Sequence, residues 1–159
     1  MMKNIQETVV ELLIQNKMKL ATAESCTGGL IAQKITSVAG ASECFDCGVV
    51  TYSNEQKQKL LGVSADTLDK FGAVSEQTAL EMCKGVKALS NADFGISVTG
   101  IAGPGGGTSE KPVGTVWIGI CGENLHKAQK FLFEGDRQQV RESTSEIALK
   151  MVEDAILNK

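Results

Sequence analysis

The chain has one histidine in 159 residues, five cysteines, no long apolar run and no block of Lys and Arg. Each of these shortages excludes something. A lone histidine cannot assemble the His and Cys sets that hold zinc, and no other ligand-type residues cluster at metal spacing. Ser–His chemistry would have to use His126, which follows the turn "GENL" at the far end of a strand from the polar junctions considered below. His126 is therefore read as a surface residue. Short apolar runs leave nothing to span a membrane. The acids and bases are interspersed, with a net charge of −3, so neither a nucleic-acid footprint nor an acidic arm is indicated. The opening "MMKNIQETVVELLIQNK" reads as an amphipathic helix carrying acids, not as a signal or transit peptide. The expectation is a soluble, cytoplasmic, single-domain protein spanning 1–159, with no metal and no cofactor.

An odd number of cysteines argues against a disulfide framework. Cys44 and Cys47 form a C-x-x-C in "ECFDCGVV", but they lead into an apolar run that reads as a strand. A redox pair belongs at a helix N-terminus, where the dipole lowers a thiol pKa. The pair is read as incidental.

What is present is an alternation of helical and strand periodicities. Helices are expected over 5–16, 28–38, 53–62, 75–91 and 136–157, with Ser53 or Asn54 as one N-cap and a capping box beginning at Ser75. Strands are expected at "MKLATAE", "FDCGVVTY", "FGISVTG", "GTVWIGIC" and "HKAQKFLF". This order predicts an α/β fold, a mostly parallel sheet with helices on both faces. The two strands flanking "GENL" must form a hairpin, so at least one strand runs antiparallel.

Open sheets of this kind bind ligands beyond the carboxyl ends of their strands. Three junctions there are polar and glycine-rich: "ESCTGG", "TYSNEQK" and "TGIAGPGGGTSEKPVG". If the first helix after a strand begins near Thr27, Ser25 lies at its N-terminus, where free N–H groups and the helix dipole stabilise an anion. Ser25 or Thr27 would serve equally as a plain N-cap. Gly28 and Gly29, however, would each cost a first helical turn roughly 1 kcal/mol, and their benefit is close approach by a ligand or backbone. A serine nucleophile needs a base, and with histidine unsuitable and no triad-like carboxylate, a buried lysine is the remaining type. Lys57 and Lys59 both qualify by pattern, with Tyr52, the only tyrosine, beside them. The third junction matches neither a Walker loop nor a dinucleotide fingerprint. Its glycines can still present successive N–H groups to a phosphate or oxyanion, beginning at Thr99 and Gly100, and Arg137 can add a fixed charge.

Together, "TAESCTGG", "GVVTYSNEQK", "GAVSEQTALEM", "VTGIAGPGGGTSEKPVGTVWIGI" and "GDRQQVR" resemble the C-terminal domain of the CinA family. The resemblance is closer still to the stand-alone form of that domain, the nicotinamide-nucleotide amidohydrolases, and covers nearly the whole chain. It implies a three-layer α/β/α sandwich with a mixed sheet, assembled as a homodimer. It also implies deamidation of nicotinamide mononucleotide to nicotinate mononucleotide and ammonia, a step in pyridine-nucleotide recycling. By position, the family's nucleophile falls on Ser25, its lysine base on Lys57 and its site tyrosine on Tyr52. The loop from Thr99 to Gly106, with Gly100, Gly103 and Gly105, corresponds to the substrate-binding loop. The resemblance thereby separates Lys57 from Lys59. The phosphatase-like domain of longer CinA proteins has no counterpart in these residues, so its metal-dependent activity is not expected.

Two rival readings remain. One is a non-catalytic nucleotide-binding or regulatory module; phosphate binding alone has no need of Ser25, Tyr52 and Lys57 as a set. The other makes Cys26 the nucleophile, but it lacks a histidine partner and projects differently from Ser25.

Overall fold

The computed structural model describes residues 2–158. Five strands, β1 (Leu20–Glu24), β2 (Phe45–Val50), β3 (Phe94–Gly100), β4 (Thr115–Gly122) and β5 (Leu125–Leu132), form one sheet in the order β2-β1-β3-β4-β5. β1 pairs in parallel with both β2 and β3, while β4 runs antiparallel to β3 and to β5. Four strands thus point one way and β4 opposes them. The tight turn between β4 and β5 forces that reversal, because a hairpin can only join antiparallel neighbours.

Six helices cover the two faces: α1 (Ile5–Gln15), α2 (Leu30–Thr36), α3 (Asn54–Leu61), α4 (Ala65–Phe71), α5 (Glu76–Ser90) and α6 (Arg137–Leu157). Strand alternation sorts the side chains between them. Leu20, Phe94, Ile96, Val98, Val116, Ile118 and Ile120 pack with apolar residues of α1, α2 and α6. Ala21 and Ala23, on the opposite face of β1, pack with Leu61, Leu68, Met82 and Val86 of α3, α4 and α5. The result is the three-layer α/β/α sandwich. No described helix is long and apolar enough to cross a membrane.

The face toward α5 is lined by small residues, and that brings the helix down onto the sheet. Ser97 donates to the carbonyl of Ala79 at 2.7 Å. A Cβ on Gly119 would stand 2.6 Å from the same carbonyl oxygen and 2.7 Å from Ser97 Oγ. The neighbouring atom is helix backbone and cannot swing aside. Gly119→Ala is therefore expected to destabilise the fold by about 1–3 kcal/mol, read as a lowered midpoint in urea with an unchanged slope.

Several boundaries differ from the sequence reading. α4 has no counterpart in the sequence reading, which assigns no element between Gly62 and Ser75. Yet Ser64 caps a short helix there by accepting from Thr67 N–H at 3.0 Å. Ser75 does cap α5, accepting from Thr78 N–H at 3.2 Å, but the third helical position is a threonine, so the reciprocal half of a capping box is missing. Complete boxes close α1 and α6 instead, through Asn4 with Glu7 and Asp136 with Gln139.

Candidate active site

The carboxyl ends of β1, β2 and β3 meet at one cleft. β1 ends at Glu24, and Ser25 is the first residue beyond it, tied to the sheet by its N–H donating to Val98 O at 3.1 Å. α2 begins at Leu30, later than the sequence implies, so Gly28 and Gly29 do not occupy its first turn. They belong to the preceding turn, at φ +61° and +106°, a left-handed region that only glycine enters without strain. Their scarcity of side chain serves the backbone path, and neither lines the cleft.

Glu24 organises this turn. Its carboxylate is 1% exposed and accepts three hydrogen bonds, from Thr27 Oγ1 at 2.6 Å, Ile31 N–H at 2.9 Å and Ala32 N–H at 3.0 Å. It therefore satisfies the free N–H groups at the start of α2 from outside the helix, a favourable place for a negative charge. The sequence reading missed it, although an acid closing an otherwise apolar strand just before a small-residue turn is itself a signal.

Lys57 comes to Ser25 from the second junction. Ser53 caps α3 by accepting from Gln56 N–H at 3.2 Å, and one turn later Lys57 points inward. It is 1% exposed, whereas Lys59 faces solvent. Its Nζ lies 2.8 Å from Thr51 O and 3.1 Å from Ser25 Oγ. No carboxylate pairs with it among the described residues, and burial pushes its pKa below the ordinary lysine value. Cys26 is also buried, but burial acts on a thiol in the other direction and pushes it up to about 11. At neutral pH, Cys26 is thus held as an unreactive thiol.

The cleft holds about 280 Å³, lined by Ser25, Cys26, Lys57, Ala73, Val74 and the loop from Thr99 to Gly103, with Gly105 and Gly106. Not all of these glycines face it for the same reason. A Cβ on Gly100 would collide with Thr115 O at 2.8 Å and Val116 Cγ2 at 2.6 Å, so strand packing demands that glycine. A Cβ on Gly105 would meet nothing within 4 Å, so its bareness leaves open room. Thr99 is buried and its hydroxyl donates to Ala73 O at 2.8 Å, which fastens the segment before α5 to the end of β3. Arg137, in the first turn of α6, closes the rim: Nη1 donates to Gly103 O at 2.7 Å and Nη2 to Tyr52 OH at 2.9 Å. Tyr52 is 61% exposed, stands at that rim and lines the same cleft as Ser25 and Lys57.

His126 is an exposed residue of β5, its Nε2 3.0 Å from Leu80 O, and it does not line the cleft. Cys44 follows a short 3₁₀ turn and Cys47 lies within β2, so the C-x-x-C does lead into a strand.

The chain is thus a three-layer sandwich with a buried Ser–Lys pair at the carboxyl ends of its parallel strands. The chain matches the model of the CinA C-terminal domain over residues 2–156. It belongs to that family. It is 50% identical over 155 residues to a protein of Thermoanaerobacter pseudethanolicus named for competence-damage induction, a match covering 98% of this chain and 38% of that one. The chain thus spans a little over a third of such curated relatives. Among solved structures, a CinA superfamily protein from Klebsiella pneumoniae superposes with a TM-score of 0.94 at 35% identity, covering 98% of this chain and 97% of its own. The competence/damage inducible protein CihA from Agrobacterium tumefaciens gives 0.87 at 41% identity, covering 100% and 99%.

Proposed function

We propose that this cleft is the active site of an amidohydrolase that deamidates nicotinamide mononucleotide through Ser25. The observation that carries the reading is a buried lysine, without a carboxylate partner, within hydrogen-bond reach of a serine at a strand end. In its neutral form Lys57 keeps one N–H on Thr51 O and turns its lone pair to the Ser25 hydroxyl, which donates to it. Proton transfer to Nζ accompanies attack of Oγ on the carboxamide carbon. The negative oxygen then needs donors. Ser25 N–H is engaged with Val98 O and Gly28 N–H with Ser25 O at 3.0 Å, which leaves those of Cys26 and Thr27 as the candidates in this turn. These two supply the oxyanion donors. Protonated Lys57 returns its proton to the leaving nitrogen, ammonia departs, and water hydrolyses the acyl-enzyme to release the carboxylate and restore Ser25.

Arg137, Tyr52 and the Gly103–Gly106 loop form the end of the cleft that would take the ribose phosphate. Arg137→Gln is expected to raise KM for the mononucleotide about 10- to 100-fold with a smaller change in kcat, the size of a lost charge-assisted contact. The cleft falls just below the roughly 300–1,000 Å³ usual for small-molecule sites, which favours one nucleotide over two. Assembly as a homodimer, without nucleic-acid or membrane partners, belongs to the same proposal.

The deciding experiment is ammonia release from nicotinamide mononucleotide, with free nicotinamide as the comparison. Turnover of the mononucleotide in preference to nicotinamide supports the reading. Tight mononucleotide binding without ammonia release would leave a nucleotide-binding module instead.

A further inference from the structure

Arg141 lies one turn beyond Arg137 on α6, but it turns toward the chain behind the nucleophile. Its Nε donates to Cys26 O at 3.2 Å, its Nη2 to Thr27 O at 2.8 Å and its Nη1 to Gln138 Oε1 at 3.3 Å. It is not among the residues lining the cleft. What it holds is the pair of peptide groups that follow Cys26 and Thr27.

Those peptide groups need holding. A peptide is planar, with its C=O and the next N–H on opposite sides, so fixing the carbonyl of Cys26 fixes the direction of Thr27 N–H. Fixing the carbonyl of Thr27 does the same for Gly28 N–H, which closes the turn on Ser25 O. Two successive left-handed glycines, Gly28 and Gly29, follow at once and give this stretch little stiffness of its own. Glu24 restrains the turn from inside through the Thr27 hydroxyl and the first N–H groups of α2. Arg141 restrains it from outside through the two carbonyls. A guanidinium suits the task because its planar fork reaches two acceptors at once, which an ammonium on a flexible stem does not reproduce.

We propose that Arg141 is a positioning residue for the reaction: it clamps the carbonyls of Cys26 and Thr27 so that the turn beside Ser25, and with it Thr27 N–H, keeps one orientation. The catalytic part of this inference rests on the reading of Ser25 as a nucleophile; the clamp itself does not.

The test uses the whole protein with Arg141→Met and Arg141→Lys. Amide hydrogen exchange, followed by mass spectrometry, compares the segment 25–29 with β3 and β4 in the same sample. Arg141→Met should speed exchange in 25–29 by about tenfold while β3 and β4 keep their protection, a local opening distinct from general loss of stability. In the ammonia assay the same variant should lose roughly 10- to 100-fold in kcat with KM within about twofold, since only transition-state contacts are disturbed. Arg141→Lys should fall between wild type and Arg141→Met. Exchange in 25–29 indistinguishable from wild type, or a raised KM at unchanged kcat, would overturn the proposal. If the wild-type protein releases no ammonia, the amidohydrolase reading fails by itself, and the exchange comparison still decides whether Arg141 holds the turn.

Discussion

Ser25→Ala should lower the rate of ammonia release by about 10³-fold or more, because removing a nucleophile leaves only binding and oxyanion contacts. The fold should survive. Ser25 contributes one side-chain hydrogen bond, to a lysine that keeps a second partner in Thr51 O. Thermal unfolding followed by circular dichroism should therefore stay close to wild type, within the range of about 1 kcal/mol typical of such a loss. Cys26→Ala supplies the contrast and should retain much of the rate, since burial holds that thiol at a pKa of about 11. An active Ser25→Ala beside an inactive Cys26→Ala would defeat the serine mechanism.

Replacing Lys57 by arginine should be as damaging as removing the nucleophile. Arginine keeps a positive charge at Nζ's place, but a guanidinium does not lose its proton in the working range and cannot serve as a base. For wild type the rate should climb with pH along a limb below 10.5, the ordinary lysine value, because the buried amine deprotonates early. The same shift acts on stability. Between the lowered folded pKa and 10.5 the unfolded chain binds more protons than the folded one, so folding stability rises with pH across that window. Below the folded pKa the whole penalty of burying the ammonium is present. Lys57→Met should be inactive and should lose this rise, which urea midpoints at neutral and mildly alkaline pH would display. Near wild-type hydrolysis by Lys57→Arg would mean that the lysine acts only as a charge.

Much of this was legible in the order of residues. The β1 to α2 junction announces itself through small and polar residues bounded by an apolar strand and an apolar-periodic helix. Ser53 before α3, and the glycine-rich stretch after β3, do the same for the other two junctions. Other features were out of reach of pattern. α4 is seven residues long and too short to set up a clear period, so only the cap at Ser64 marks it. Glu24 carries a local signal as an acid closing a strand before a small-residue turn, but its reach to the N–H groups of Ile31 and Ala32 shows only in the structure.

The alternation of strands and helices, the hairpin and the three converging junctions follow from the sequence by itself, because periodicity and turn chemistry are local properties. So does the elimination of histidine as a base, since His126 lies outside every polar junction. Tertiary structure decided what pattern and spacing left open. Lys57 and Lys59 are two residues apart on one short helix, and only packing against the sheet strips water from the first while leaving the second in solvent. Ser25 and Lys57 are 32 residues apart, and their meeting is set by the parallel pairing of β1 with β2. The clamp of Arg141 on Cys26 and Thr27 spans more than a hundred residues and exists because α6 packs across the start of α2. The Ser25–Lys57 pair is a product of burial and distance, and neither is written in any one stretch of the chain.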